Sequence, residues 1–358
     1  MRLAKARRMP QLEQLATQLD RLADFEACPF PVISLYLNLQ ADEHGKNRFE
    51  PFLRKELPDR IRTYGISSPE RHSLEQDAEK IQKYVENVDS SLNGLAVFAC
   101  SGADLFEAIP LAAPIDQHRL YVSNIPHLYS LAKILDEYPR YVALLADSHS
   151  ARIFVFALNT VEKTDRIENA KTKHHKQGGW SQARYQRHVE NYHLQHAKEV
   201  VDAVAKIVRD EKIDKIVLSG DEVMLPLLRE QLPKDVTERI VDMVKMDVKA
   251  PEHDVLASTI AALRQQDAES DRERVDELIG AYRANGLACV GVEATLKALE
   301  RGQVDELVIT AKPDNLREDT ADELVVNARQ TSATIRFIED ASLLAPIGGA
   351  GAFLRYKL

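Results

Sequence analysis

What most constrains the fold of this chain is an alternation. Short apolar runs of strand length follow amphipathic stretches of helical period from one end of the sequence to the other. VISLYLNL at 32–39 alternates as a strand does, and residues 95–100 and 105–110 read as a buried strand and its neighbour. YVALLA at 141–146 and RIFVFAL at 152–158 flank the polar turn DSHSA and read as a hairpin. Further strands are expected at 213–219, 240–246, 306–310 and 333–338. Helical spacing appears at 9–24, where Leu12, Leu15, Leu19 and Leu22 share a face, and again at 73–88, 127–136, 183–210, 225–232, 254–264, 292–301 and 320–330. Gly302 is the expected stop of the 292–301 helix. Residues 41–59 are polar and mixed in charge, and read as loop and short helix on a solvated face. Helix and strand in this order make an α/β protein, and 358 residues exceed one ordinary core. The expectation is three α/β domains in series: 1–138, 139–250 and 251–358.

Composition narrows the function classes. Asp and Glu outnumber Lys and Arg by 56 to 47 and the pI is near 5.7, so a general coating of nucleic acid is disfavoured and any such contact needs a local patch. No apolar run reaches the ~20 residues of a membrane span, so no membrane partner is expected. The basic start MRLAKARRMPQLEQLATQL has no continuous apolar segment behind it, which argues against a secretory leader and for a cytoplasmic protein. Cys28, Cys100 and Cys289 are odd in number and far apart in sequence. They read as small buried apolar residues rather than a disulfide framework or a zinc site.

One local patch stands out. KTKHHKQGGWSQARYQR, residues 171–187, brings together Lys171, Lys173, Lys176, Arg184 and Arg187 with His174, His175 and the following His188, and no carboxylate lies between Asn169 and Val189. Such a block attracts a phosphate backbone. At its centre Gly178 and Gly179 lack Cβ, so the backbone can lie close against a partner, and Trp180 is the only tryptophan. The helix expected at 183–210 would be roughly 40 Å long at ~1.5 Å per residue, enough to hold the glycines away from the body. His188, His193 and His196 share that helix, but with no acidic or cysteine partner nearby they are read as RNA-contacting or packing residues, and neither metal nor cofactor is expected. Gly348, Gly349 and Gly351 run into a strand without a following helix, which rejects a dinucleotide loop. No Walker, G-x-S-x-G or H-E-x-x-H motif occurs.

The run K-x-G-G-x-S-x-x-R-[FY]-x-R, placed after a hairpin and ahead of a long helix, resembles the central domain of the archaeal and eukaryotic class-1 release factors and their Pelota relatives. Gly178, Gly179, Ser181, Arg184 and Tyr185 match the release-factor motif G-G-Q-S-x-x-R-F in register. LACVGVEATLKALERGQVDELVIT at 287–310 and the terminal GGAGAFLRY resemble the third, Pelota-like domain, so the resemblance runs from about residue 141 to the C-terminus. It implies a ribonuclease-H-like central domain with a glycine loop and a long helix, and a C-terminal Pelota-like α/β/α sandwich. Trp180 departs from the family by standing where the catalytic Gln belongs, with Gln182 two residues later, and the first domain lacks the N-I-K-S run that reads stop codons. The missing run argues against codon-specific termination and points to the bacterial relatives and to the Vms/ANKZF peptidyl-tRNA hydrolases.

The resemblance implies hydrolysis of the peptidyl-tRNA ester by a tip made of Gly178, Gly179, Trp180, Ser181 and Gln182. Lys171, Lys173, His174, His175, Lys176, Arg184 and Arg187 would contact RNA. Ribosome and peptidyl-tRNA are the expected partners, with a translational GTPase against the 292–306 face of a monomer. A second reading, similar to the Balon-type hibernation proteins, is a non-catalytic factor whose loop occupies the peptidyl-transferase centre. An RNA endonuclease would need clustered carboxylates for metal, which the loop lacks.

Overall fold

The computed structural model describes residues 11–41, 49–89, 91–168, 182–312 and 316–357, with the backbone alone at 182–186 and 188. The chain forms two compact units: residues 139–269, and residues 1–138 together with 270–358.

In the second of these, the N-terminal part runs α1 (Gln11–Ala23), β1 (Val32–Asn38), α2 (Phe49–Ile61), α3 (Pro69–Val85), β2 (Gly94–Cys100), β3 (Leu105–Leu111), β4 (Arg119–Ser123) and α4 (Tyr129–Glu137). Its antiparallel sheet has the order β3-β2-β1-β4. β1 is central, and every residue from Val32 to Leu37 is buried, as a strand covered on both faces must be. Ile33, Leu35 and Leu37 with Leu95, Val97 and Ala99 form one face, packed against α2 and α3. The expectation for 41–59 is corrected here: α2 buries Phe49, Leu53, Leu57 and Ile61, four apolar residues at i, i+4 spacing, beneath its charged outer face. β4 is an addition to the expected strands.

The central unit holds β5 (Tyr141–Ala146), β6 (Ser150–Ala157), β7 (Thr160–Glu168), α5 (Gln182–Asp210), β8 (Lys215–Gly220), α6 (Met224–Gln231), α7 (Lys234–Thr237), β9 (Ile240–Met243) and the first part of α8 (Glu252–Arg283). The sheet order is β7-β6-β5-β8-β9, with β6 and β7 antiparallel and β5, β8 and β9 parallel, a ribonuclease-H-like arrangement. Val142, Leu144, Ile216 and Leu218 face α5 and α6, while Tyr141, Ala143, Leu145 and Val217 face Val255 and Leu263 of α8. The expected hairpin extends by a third strand, β7, entered through Leu158 (φ 47°) and Asn159 (φ 64°), two left-handed residues in the pattern of a tight hairpin turn. α8 continues well past the expected end at residue 264. It runs to Arg283.

The C-terminal part contains β10 (Ala288–Val290), α9 (Val292–Glu300), β11 (Val304–Thr310), α10 (Glu318–Gln330), β12 (Thr334–Ile338), α11 (Ala341–Leu344) and β13 (Ala350–Leu354), in the sheet order β10-β13-β11-β12. Val308 and Ile338 pack against Val275 and Leu278 of α8 on one face, and period-2 alternation turns Leu307 and Ile309 to the other, where α9 and α10 lie. The result is an α/β/α sandwich. Gly302 ends α9 at φ 65°, as expected, and its N–H donates to Leu299 O at 2.8 Å. Gly351 has a packing reason: a Cβ there would stand 2.9 Å from Leu278 Cδ2 and 3.0 Å from Cys289 O.

Within this unit the N- and C-terminal parts share polar contacts. The Asp322 carboxylate on α10 meets His127 Nδ1 and the Tyr129 N–H, and Arg119 reaches Glu318 at 2.8 Å. The Tyr121 ring stacks on His127 with centroids 4.2 Å apart, and the Tyr129 hydroxyl donates to Thr310 O. Gln330 donates to Ala23 O at 2.7 Å, and Phe337 N–H to Asp136 Oδ2 at 3.1 Å.

Candidate functional site

The basic segment lies between two elements of the central unit: β7 ends at Glu168 and α5 begins at Gln182. Lys171, Lys173, His174, His175, Lys176, Gly178, Gly179, Trp180 and Ser181 fall outside the described residues. Gln182 and Arg184 occupy the first turn of α5, and Arg187, further along it, is exposed.

The stem has a describable geometry. Among the described side chains of α5, none ahead of His196 is buried; from there Ala197, Val200, Val201, Val204 and Val208 enter the core. Fourteen residues at ~1.5 Å each put roughly 20 Å of helix ahead of His196, the first buried residue among the described side chains. On the strand side, β7 stays paired with β6 to its last residue, Glu168 opposite Ser150, and Ile167 packs against the core. It is an edge strand paired only with β6, and its outward residues are charged: Lys163 with Asp165 at 3.3 Å, and Arg166 with Glu168 at 2.8 Å.

Electrostatics favour an anion at this end. The first turn of α5 carries no acidic residue, so nothing there opposes the partial positive charge of the helix N-terminus. The histidines separate. His196 is fully buried, and burial pushes its pKa below the ordinary imidazole value, while His193 is half-buried with its ring 6.1 Å from that of Tyr192. His196 is therefore a core residue of the stem's root and not part of a ligand set.

At the carboxyl ends of β5 and β8, Asp147 Oδ1 accepts the N–H of His149 at 2.8 Å and of Ser150 at 2.7 Å. Asp221 accepts from Ser148 N and Oγ, Val223 N and Met224 N. Burial alone would raise the Asp221 pKa, but those hydrogen bonds outweigh it and hold the carboxyl below its ordinary value. Both carboxylates are thus engaged in closing turns. Among the described residues, no group of three or more His, Cys, Asp or Glu side chains is placed to hold a metal ion, and no helix is long and apolar enough to cross a membrane.

Residues 126–264 match the model of bacterial archaeo-eukaryotic release factor family 10, and residues 269–358 match that of eRF1 domain 3. The chain is 24% identical over 206 residues to eukaryotic peptide chain release factor subunit 1 of Podospora anserina, a match covering 55% of this chain and 47% of that protein. It thus spans about half the length of that relative. Among solved structures it is similar to a chain from a model of ribosome-bound archaeal Pelota and ABCE1, with 14% identity, 97% of this chain and 94% of that chain covered, and a TM-score of 0.44. It is also similar to Dom34 of S. cerevisiae, a translation termination-like factor, with 12% identity, coverages of 74% and 79%, and a TM-score of 0.42.

Proposed function

We propose that this chain, which belongs to the superfamily of archaeal and eukaryotic class-1 release factors and Pelota proteins, is a ribosome-associated release or rescue factor that hydrolyses the ester between a nascent peptide and its tRNA. Its support is the placement of the basic Gly-Gly segment. A stretch free of carboxylates is bracketed by an edge strand and by a helix with roughly 20 Å ahead of its first buried residue among the described side chains.

The chemistry follows from that placement. Water attacks the ester carbonyl, and the tetrahedral intermediate carries an oxyanion that a fixed N–H can stabilise. Gly178 and Gly179 allow the main chain near the tRNA end without a Cβ in the way, and the flanking lysines and arginines hold phosphates. Trp180 keeps a backbone N–H at the position of the family's glutamine and offers a ring on which a base can stack, and Gln182 supplies the amide side chain. No cofactor takes part. The absence of an N-I-K-S run in the first domain fits recognition of a ribosomal state rather than a stop codon. In this reading residues 1–138 contact that state, 139–250 reach the peptidyl-transferase centre, and the 292–306 face of 251–358 receives a translational GTPase. The factor is a cytoplasmic monomer.

Release of labelled peptide from stalled ribosomal peptidyl-tRNA complexes tests it, with wild type set against Gln182→Ala, Trp180→Ala and Gly179→Ala. Release that disappears with Gln182→Ala or Gly179→Ala is expected. Trp180 in place of Gln favours a second reading, a hibernation or occlusion factor. Tight ribosome binding that needs Trp180 and the lysines, without any release, would replace the first reading by the second.

A further inference from the structure

Cys28 and Cys100 are 72 positions apart in sequence, yet their sulfurs lie 3.9 Å apart, and both point at the carbonyl of Phe30, at 3.3 and 3.8 Å. Cys100 closes β2 and is fully buried, whereas Cys28 is half-buried, on the strap between α1 and β1. The strap is pressed onto the end of β2: a Cβ at Gly102 would stand 2.1 Å from the Phe30 ring. We propose that Cys28 and Cys100 are a redox-responsive pair that closes to a disulfide when a hydroperoxide reaches Cys28.

The geometry needs little adjustment. A disulfide bond is ~2.05 Å long, so the sulfurs must approach by about 2 Å, within reach of a χ1 change at one cysteine. Order follows from exposure. Burial, with Cys28 beside it, pushes the Cys100 thiol up to about 11, so the outer thiol meets the oxidant first. The Cys28 thiolate attacks the O–O bond, one oxygen leaves as water or alcohol, and Cys28 becomes a sulfenic acid. The Cys100 sulfur then attacks the Cys28 sulfur: the S–S bond forms, the S–O bond breaks, and water leaves with the Cys100 proton. Two thiols lose two electrons and two protons, and one peroxide is reduced.

Closure has a structural consequence. α1 holds α10 through Asp20, paired with Arg329, and through the Ala23 carbonyl, which accepts from Gln330. A bond from Cys28 to Cys100 fixes the end of that segment to the N-terminal sheet. Cys289, on β10 in the other sheet of this unit, has Thr295 Oγ1 3.9 Å from its sulfur and no second cysteine beside it among the described residues, and serves as an internal reference thiol.

The test treats the reduced full-length protein with hydrogen peroxide, counts free thiols and maps non-reduced tryptic peptides by mass spectrometry. Two of the three thiols should disappear, with a peptide pair joining residues 28 and 100, lighter by two hydrogens and restored by dithiothreitol. Oxidation should raise the unfolding midpoint by roughly 5 °C, and Cys28→Ser, a change at a half-exposed site, should abolish both the bridge and the shift. Cys28 accumulating as a dimedone-trapped sulfenic or a sulfinic acid without bridging would overturn the proposal. So would three intact thiols in folded protein after excess peroxide.

Discussion

Asp322 of α10 caps α4: its Oδ1 accepts the Tyr129 backbone N–H at 2.8 Å, while its other oxygen meets His127 Nδ1. No residue next to α4 in sequence caps it by a side chain, so the helix draws its cap from the far end of the chain. Both side chains are about 5% exposed, so losing the carboxylate strands a ring nitrogen and a helix N–H away from water. Asp322→Ala should cost roughly 3 kcal/mol in urea unfolding. A cost under about 1 kcal/mol would show that water replaces the carboxylate there.

α2 makes a second case. Leu57 is 1% exposed and packs with Leu53, Ile61 and the inner residues of β1 and β2. Leu57→Ala should destabilise by about 2–5 kcal/mol, while the exposed Arg54→Ala on the same helix should change little. Equal, small effects at both positions would return α2 to the surface.

Asp77 gives a pH dependence with a definite sign. Burial raises its pKa above the ordinary 3.8, and the Ser101 hydroxyl, donating to Oδ1 at 2.5 Å, offsets this only in part. The folded state holds the proton more tightly than the unfolded chain. Its stabilising share is therefore complete below 3.8 and is lost as pH rises through the elevated folded value. Asp77→Asn should leave stability unaltered at the acid end of that window and raise it at neutral pH, as followed by the wild-type-minus-variant difference in denaturant midpoint. A wild type that gains on the variant as pH rises would refute the assignment.

The basic segment predicts a salt slope. If Lys171, Lys173, Lys176, Arg184 and Arg187 each meet an RNA phosphate, log Kd for ribosomes should vary with log salt by about 0.7–0.9 per contact. Replacing all five by Gln should flatten the slope by roughly 3–5 and weaken binding most at low salt. An unchanged slope would remove these residues from the interface.

The central strands were legible because burial on both faces leaves them almost wholly apolar: β1, β2, β5, β8 and β11. The edges were not. β4 and β7 show polar or charged residues to solvent, and the turn into β7 is Leu158–Asn159, without the glycine that flags such turns. Pro58 and the charged face of α2 hide its i, i+4 apolar row, and the polar middle of α8 reads as a break although the helix continues. At the candidate site, the basic Gly-Gly segment is visible in sequence because it interrupts an acidic chain. The length of its stem appears only from where burial begins along α5, at His196. The pairing of His127 with Asp322 and of Cys28 with Cys100 has no local signal, since each joins residues far apart in the chain.

The late onset of burial along α5 separates two kinds of selection. Among the described side chains of α5 the buried ones begin at His196, so substitutions at exposed positions ahead of it, such as Arg187 and Glu190, carry little thermodynamic penalty. Under the proposed function, selection at the Gly-Gly segment would act on its glycines and positive charge through the partner rather than through the core.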